Sequence, residues 1–457
     1  MKMNMDFLEN LLSSVARRAR QRPGSDRASQ RGRETVASGV DGLISACDVL
    51  LTGGGGEASQ ILVAQRLLAG YAELDADERR IFLTKLAERH GASSEAIHAA
   101  YEAYREGESE ADLRALIEAC EPPRQELLRR LNLCPGGTYE LVKMRADLQA
   151  HLGESPELAG LDEDFAHLFA SWFNRGFLVL KSIDWNTPAA VLEKLIRYEA
   201  VHEIQDWNDL RQRLDPEDRR CYAFFHPAIG DEPLIFVEVA LCRGIPGNIQ
   251  VLLSGGDEVA PQDADTAVFY SISNCQAGLK GISFGNFLIK QVVHELRREL
   301  PELDNFVTLS PVPGFAKWLA ERREAGECRL TTDAATALDE TRWRDDPQAR
   351  EVLESELLPL AAHYFTQAKQ RQGLPRDPVA RFHLGNGASL HRLNWPADIS
   401  TKGCRQAHGL MVNYRYEPDR IEQNHEAYTR EGSVICTTEI QRQARRAQPL
   451  LEPLVDV

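Results

Sequence analysis

The sequence lacks any apolar stretch long enough to cross a bilayer. Its longest runs, such as 233–241 and 267–270, stop well short of the roughly 20 residues a spanning helix needs. It also lacks a surplus of positive charge: 53 Lys and Arg stand against 69 Asp and Glu, a formal net charge of -16. Such a balance offers no general surface for a nucleic-acid backbone, so neither a membrane nor nucleic acid is an expected partner. An anionic substrate must instead be met by local basic or backbone N–H groups. Paired cysteines are missing too. The nine cysteines are scattered without a C-x-x-C pair, which argues against zinc or a disulfide framework and for small buried thiols in a reduced cytoplasm. Residues 1–33 are rich in Arg and Ser, as mitochondrial transit peptides are, but Asp6, Glu9 and Asp26 count against that reading.

What is present divides in two. At 457 residues the chain exceeds what one core usually organises, and the pattern changes near Gly176. Before it, apolar residues recur at helical spacing over 6–20, 61–74, 77–90, 94–104, 110–119, 123–133, 138–152 and 162–173, with Ser94 and Thr138 as candidate caps. Residues 21–39 are polar and read as a link. After Gly176, strands are expected at 176–183, 221–225, 234–241, 249–253, 266–272 and 305–309, with helices at 187–198 and 285–300. The prediction is a two-domain α+β chain: an all-α helical bundle over residues 1–172, then a mixed α/β domain over 173–457.

The segment 267–286 runs from a strand through a glycine-containing loop (Ser-Asn-Cys-Gln-Ala-Gly-Leu-Lys-Gly-Ile-Ser-Phe-Gly-Asn) into a helix. Glycines there let backbone N–H groups approach an anion, and the helix N-terminus adds partial positive charge. The spacing fits neither G-x-x-x-x-G-K-[ST] nor G-x-G-x-x-G. The strand–loop–helix setting is similar to the acyl-CoA pyrophosphate loop of the GNAT acetyltransferase superfold, although the glycine spacing differs. A plain turn between strand and helix is an equal reading of this loop taken alone.

Several separated motifs add to it. Phe-Tyr-Ser-Ile-Ser at 269–273, Gly-Asn-Phe-Leu-Ile-Lys at 285–290, Leu-Ser-Pro-Val-Pro-Gly-Phe at 309–315, Phe-His-Leu-Gly-Asn-Gly-Ala at 382–388 and Asn-Tyr-Arg-Tyr at 413–416 occur in order. Together they resemble the malonyl-CoA decarboxylase family. The helical part matches it best at Pro135-Gly136-Gly137 and at 144–148. The resemblance implies a GNAT-like catalytic domain, malonyl-CoA and acetyl-CoA as ligands, and a homo-oligomer, dimer or tetramer, formed through the N-terminal helices. It implies Ser310 and His383 as catalytic residues, with Tyr416 shaping the site and Asn394, Trp395 and Asp398 ranked below them. Coenzyme A is expected on Lys280, Gly281, Ile282, Ser283, Phe284, Gly285 and Asn286.

The chemistry expected is loss of carbon dioxide from a malonyl thioester, leaving an enolate whose oxygen needs backbone donors. The thioester is itself the electron sink, so no cofactor, metal or biotin is expected. His383, read as lying at a strand end or loop mouth with a pKa near neutrality, is expected to protonate the carbanion. Ser310 either orients the carboxylate or relays the proton. An acyltransferase and a catalytically idle acyl-CoA sensor are the rival readings.

Overall fold

The computed structural model describes residues 39–53, 56–255, 258–282, 287–370 and 373–451. The helix and link expected over 6–38 lie outside the described residues. The chain forms two compact units: Met1–Asn174 with His226–Gly230 and Gln276–Ser283, and Arg175–Phe225 with Asp231–Cys275 and Phe284–Val457.

The first unit is helical. Helices span Val40–Thr52, Glu57–Ala72, Ala76–Arg89, Ser94–Gly107, Glu110–Cys120, Pro123–Asn132, Gly137–His151 and Ala159–Trp172. Their apolar faces meet in a core that includes Leu67, Leu83, Leu128, Met144, Leu148, Phe165 and Phe169. The sequence reading assigned nothing to Val40–Thr52, although Leu43, Ile44, Cys47 and Leu50 have helical spacing and are buried. Two expected caps are corrected. Ser93, not Ser94, accepts the Ala96 N–H. Gly136 in a left-handed conformation precedes the Gly137 helix, and the Thr138 hydroxyl donates to Asn132 instead. Gly137 is sterically required, since a Cβ there would lie 2.2 Å from the Leu131 carbonyl oxygen.

The second unit is built on one mixed sheet of β1 (Val179–Ile183), β2 (Arg219–Phe225), β3 (Pro233–Cys242), β4 (Thr266–Asn274), β5 (Asn305–Thr308), β6 (Ser310–Pro311), β7 (Ser389–Asn394) and β8 (Met411–Arg415). Their order is β1-β2-β3-β4-β5-β8-β6, with β7 also paired to β8. β1 to β4 are antiparallel neighbours, whereas β4 and β5 are parallel and joined through the Phe287–Glu299 helix. Helices Ala189–Tyr198 and Trp207–Leu214 bury Leu192, Leu195 and Leu210 against Ala223, Phe225 and Phe236. A helical unit and a unit built on a mixed sheet with helices make the two-part α+β class that the sequence predicts.

Two local expectations fail here. Ile249–Leu253 is a helix rather than a strand. Five apolar-rich residues carry no decisive period, and Asn248 settles the matter by accepting the Val251 N–H at its start. His383 sits in a helix, Pro378–Gly385, rather than in a loop mouth. Asp377 caps that helix by accepting the Ala380 N–H, and Pro378 occupies its first position, where a missing N–H costs nothing.

The sheet opens at the site. Pairing of β4 with β5 ends at Phe269 and Thr308, while β4 continues to Asn274. After Leu309 the chain turns to β8, with Ser310 opposite Val412 and Pro311 opposite Met411. A bulge sets Tyr270 as an extra residue between the pairs Glu238–Ser271 and Val239–Phe269, which bends β4 locally. Ser310 thus lies at the edge of a gap in an otherwise hydrogen-bonded sheet.

Candidate active site

That gap is a cavity of about 240 Å³ lined by Val201, Phe269, Tyr270, Ile272, Asn274, Ser310, Pro311, Pro378, Val379, Phe382 and His383. No Lys, Arg, Asp or Glu is among these residues. A larger cavity of about 730 Å³, bordered by His363, Lys369 and Arg445, shares none of them.

Ser310, His383 and Tyr416 form one hydrogen-bonded chain. Ser310 Oγ lies 3.1 Å from His383 Nε2, and His383 Nδ1 lies 2.8 Å from the Tyr416 hydroxyl. The Ser310 hydroxyl donates to Thr308 Oγ1 at 2.8 Å. The imidazole stacks on Tyr414 with ring centroids 4.6 Å apart. These side chains are buried, and burial pushes His383 down to about 3. Low-dielectric surroundings disfavour the imidazolium, so the ring is neutral at pH 7, not poised near neutrality as expected from the sequence. Burial likewise pushes the Tyr416 phenol well up, keeping it protonated.

The expected coenzyme A residues are divided. Lys280, Gly281 and Ile282 are in the first unit, whereas Ser283, Phe284, Gly285 and Asn286 lie outside the described residues. The turn before them is held by Arg145, whose guanidinium donates to the Gly278 and Lys280 carbonyls at 2.8 and 3.0 Å while pairing with Asp162. Gly278 is explained by packing, because a Cβ there would sit 1.8 Å from the Val142 carbonyl oxygen. Gly281 adopts φ +82°, which favours glycine, and faces open space.

Of the lower-ranked residues, Asn394 donates to Asn413 at 2.8 Å and Asp398 accepts from Gln250 at 2.8 Å. The Trp395 indole donates to the His408 carbonyl. None of the three lines the cavity.

A second buried cluster went unnoticed in the sequence. Glu199 accepts from the Ser271 and Ser273 hydroxyls and the Val201 and His202 amides. Glu238, fully buried, pairs with Arg213 at 3.1 Å. Burial, and then repulsion from Glu199, push Glu238 up to about 8. The composition of β3 is the available signal: Glu238 interrupts an otherwise apolar strand.

Among the described residues no three His, Cys, Asp or Glu side chains cluster as metal ligands, all nine cysteines are free, and no helix is long and apolar enough to cross a membrane.

A Ser–His pair beside a cavity whose described lining residues include no Lys, Arg, Asp or Glu is a setting suited to chemistry on an acyl group, and the comparisons name the family. The malonyl-CoA decarboxylase C-terminal domain matches residues 176–452, and the N-terminal domain matches 90–173. The mitochondrial malonyl-CoA decarboxylase of Anser anser anser is 38% identical over 338 residues, covering 67% of this chain and 66% of that protein. The crystal structure of malonyl-CoA decarboxylase from Rhodopseudomonas palustris superposes with a TM-score of 0.85 at 54% identity, covering 88% of this chain and 99% of that one. The protein from Agrobacterium vitis gives 0.83 at 52%, covering 88% and 99%. This chain belongs to the malonyl-CoA decarboxylase family, and it is an enzyme of the carboxy-lyase class.

Proposed function

We propose that this chain converts malonyl-CoA to acetyl-CoA and carbon dioxide at the cavity beside Ser310 and His383, without a metal or biotin. The observation that carries the reading is the uncharged chain Ser310–His383–Tyr416 at the edge of a cavity with no cation among its described lining residues. A malonyl carboxylate entering it gives up water without gaining a counter-ion. Breaking the bond from the α-carbon to the carboxyl carbon releases neutral carbon dioxide and spreads the charge onto the thioester enolate. Backbone donors at the strand ends hold the enolate oxygen, each worth on the order of 3 kcal/mol.

The carbanion then needs one proton. The Ser310 hydroxyl turns from Thr308 to the α-carbon and gives it its proton, the His383 Nε2 proton passes to Oγ, and the Tyr416 proton passes to Nδ1. The imidazole stays neutral throughout. A thioester enolate is a far stronger base than a tyrosinate, so the transfer runs downhill even though burial raises the phenol. A proton taken from solvent restores Tyr416 after product leaves, the one proton that each turnover consumes.

Coenzyme A is assigned to Lys280–Asn286 by family resemblance. Catalysis is assigned to residues 173–457, and bracing or self-association to residues 1–172. Helices Ser94–Gly107 and Glu110–Cys120 bury none of their residues, and Tyr101, Leu113 and Ile117 are exposed on them. Those exposed apolar side chains support a homo-oligomer in which a second copy of the chain covers the hairpin. A cytoplasmic location fits nine free thiols.

The deciding assay supplies malonyl-CoA alone, then with amine acceptors. Acetyl-CoA and carbon dioxide formed without an acceptor are expected. Turnover only with an acceptor indicates a transferase, and binding without product indicates a sensor; either outcome removes the proposal.

A further inference from the structure

Thr308 has no part in the sequence reading, yet it is the acceptor of the Ser310 hydroxyl. Its fully buried Oγ1 accepts the Tyr414 amide at 3.1 Å and the Ser310 hydroxyl at 2.8 Å. An amide N–H can only donate, so one oxygen lone pair is committed to it, and the serine proton occupies the other. With its proton turned to Thr308, Ser310 Oγ offers His383 Nε2 only lone pairs, across 3.1 Å. A neutral ring then carries its proton on Nε2, and Nδ1 receives the Tyr416 hydroxyl. Thr308 is itself held firmly. Its carbonyl accepts Asn413 Nδ2 at 2.7 Å, and Asn413 Oδ1 accepts from Asn394 Nδ2 at 2.8 Å and from Arg392 Nε at 3.2 Å.

The opposite order, a serine proton donated to a bare Nε2, is how a Ser–His pair prepares a nucleophile for acyl transfer. In a thioester enzyme that order is damaging: an Oγ–acyl bond would form, the C–S bond would break, and coenzyme A would leave as the free thiol carrying the serine proton by way of His383. We propose that Thr308 is a positioning residue that fixes the proton order along Tyr416, His383 and Ser310, so that the pair delivers a proton and does not attack the thioester. The functional half of this rests on the proposed decarboxylation; the proton order does not.

The test is nitrogen-15 NMR of histidine-labelled, unliganded full-length protein, with His383→Asn assigning the signal, together with kinetics of Thr308→Val and Thr308→Ser. The parent chain is expected to show the Nε2–H tautomer at His383, and Thr308→Val the Nδ1–H form. Thr308→Val should lose about 10-fold in kcat, the scale of one misdirected hydrogen bond, with KM within about twofold and more free coenzyme A per acetyl-CoA. Thr308→Ser, which keeps the hydroxyl, should restore both the tautomer and the rate. An Nδ1–H ring in the parent chain overturns the inference without any variant, as does a Thr308→Val protein that keeps the Nε2–H signal and full kcat. If the parent chain fails to decarboxylate malonyl-CoA, the functional reading falls while the tautomer still decides the role of Thr308.

Discussion

The chain of Thr308, Ser310, His383 and Tyr416 and the cluster of Arg213, Glu199 and Glu238 are comparably buried in the same unit, yet they handle burial in opposite ways. The first is neutral throughout and ends on a cavity; the second packs ionisable groups together, with Arg213 beside Glu238, serine hydroxyls on Glu199, and Glu238 pushed up toward its neutral form. A reaction that expels carbon dioxide and consumes a proton gains from the first arrangement, because no cation among the described lining residues stabilises the starting carboxylate. The second offers no such opening: Arg213 would hold a carboxylate in place.

The comparison breaks most visibly at the neutral chain. Ser310→Ala and His383→Asn should each lower kcat by roughly 10³-fold, as loss of a proton-transfer group typically does, while coenzyme A affinity stays within a few-fold. Steady-state turnover and isothermal titration with acetyl-CoA check this. Tyr416→Phe removes only the far end of the chain, and a loss of about 10-fold in kcat with KM unchanged is expected. A rise in KM larger than the fall in kcat would mean that Tyr416 shapes the binding site instead.

The smallest effect is on stability, and its sign differs between the two clusters. His383 ordinarily titrates at 6.5 and is held at about 3 in the fold. It binds fewer protons folded than unfolded between those values, so its contribution is complete above 6.5 and is lost as pH falls through 3. Glu238 moves from 4.5 up to about 8. Its contribution is complete below 4.5 and is lost as pH rises through 8. Each group adds a slope of at most about 1.4 kcal/mol per pH unit. Urea titrations across pH should show the acid-side slope reduced in His383→Asn and the alkaline slope reduced in Glu238→Gln.

Much of this layout is legible in the sequence where local chemistry speaks for itself. Asp75 with Glu78 marks a helix start and forms a full capping box, and the apolar, β-branched and aromatic run at 266–272 gives β4. The Phe-His-Leu-Gly-Asn-Gly-Ala motif points to His383 but hides its setting, because Asp377-Pro378 as a helix start lies five residues upstream of the motif. Two features depend on partners remote in the chain and have no local signature. The neutral state of His383 arises from burial beside Tyr414 and Tyr416, more than 30 residues away. The role of Thr308 arises from hydrogen bonds that register β5 and β6 against β8. Gly278 teaches the reverse lesson: a glycine that reads as part of a phosphate loop is required by the Val142 carbonyl packed against it.

The most direct measurement is the pH dependence of kcat/KM for malonyl-CoA, which reports titrations of the unliganded enzyme. With a neutral imidazole relaying the proton, kcat/KM should show no inflection attributable to His383 between about pH 5 and pH 8. An inflection near the ordinary histidine value that disappears from the residual activity of His383→Asn would mean that the ring works as an imidazolium, and the neutral relay would be wrong.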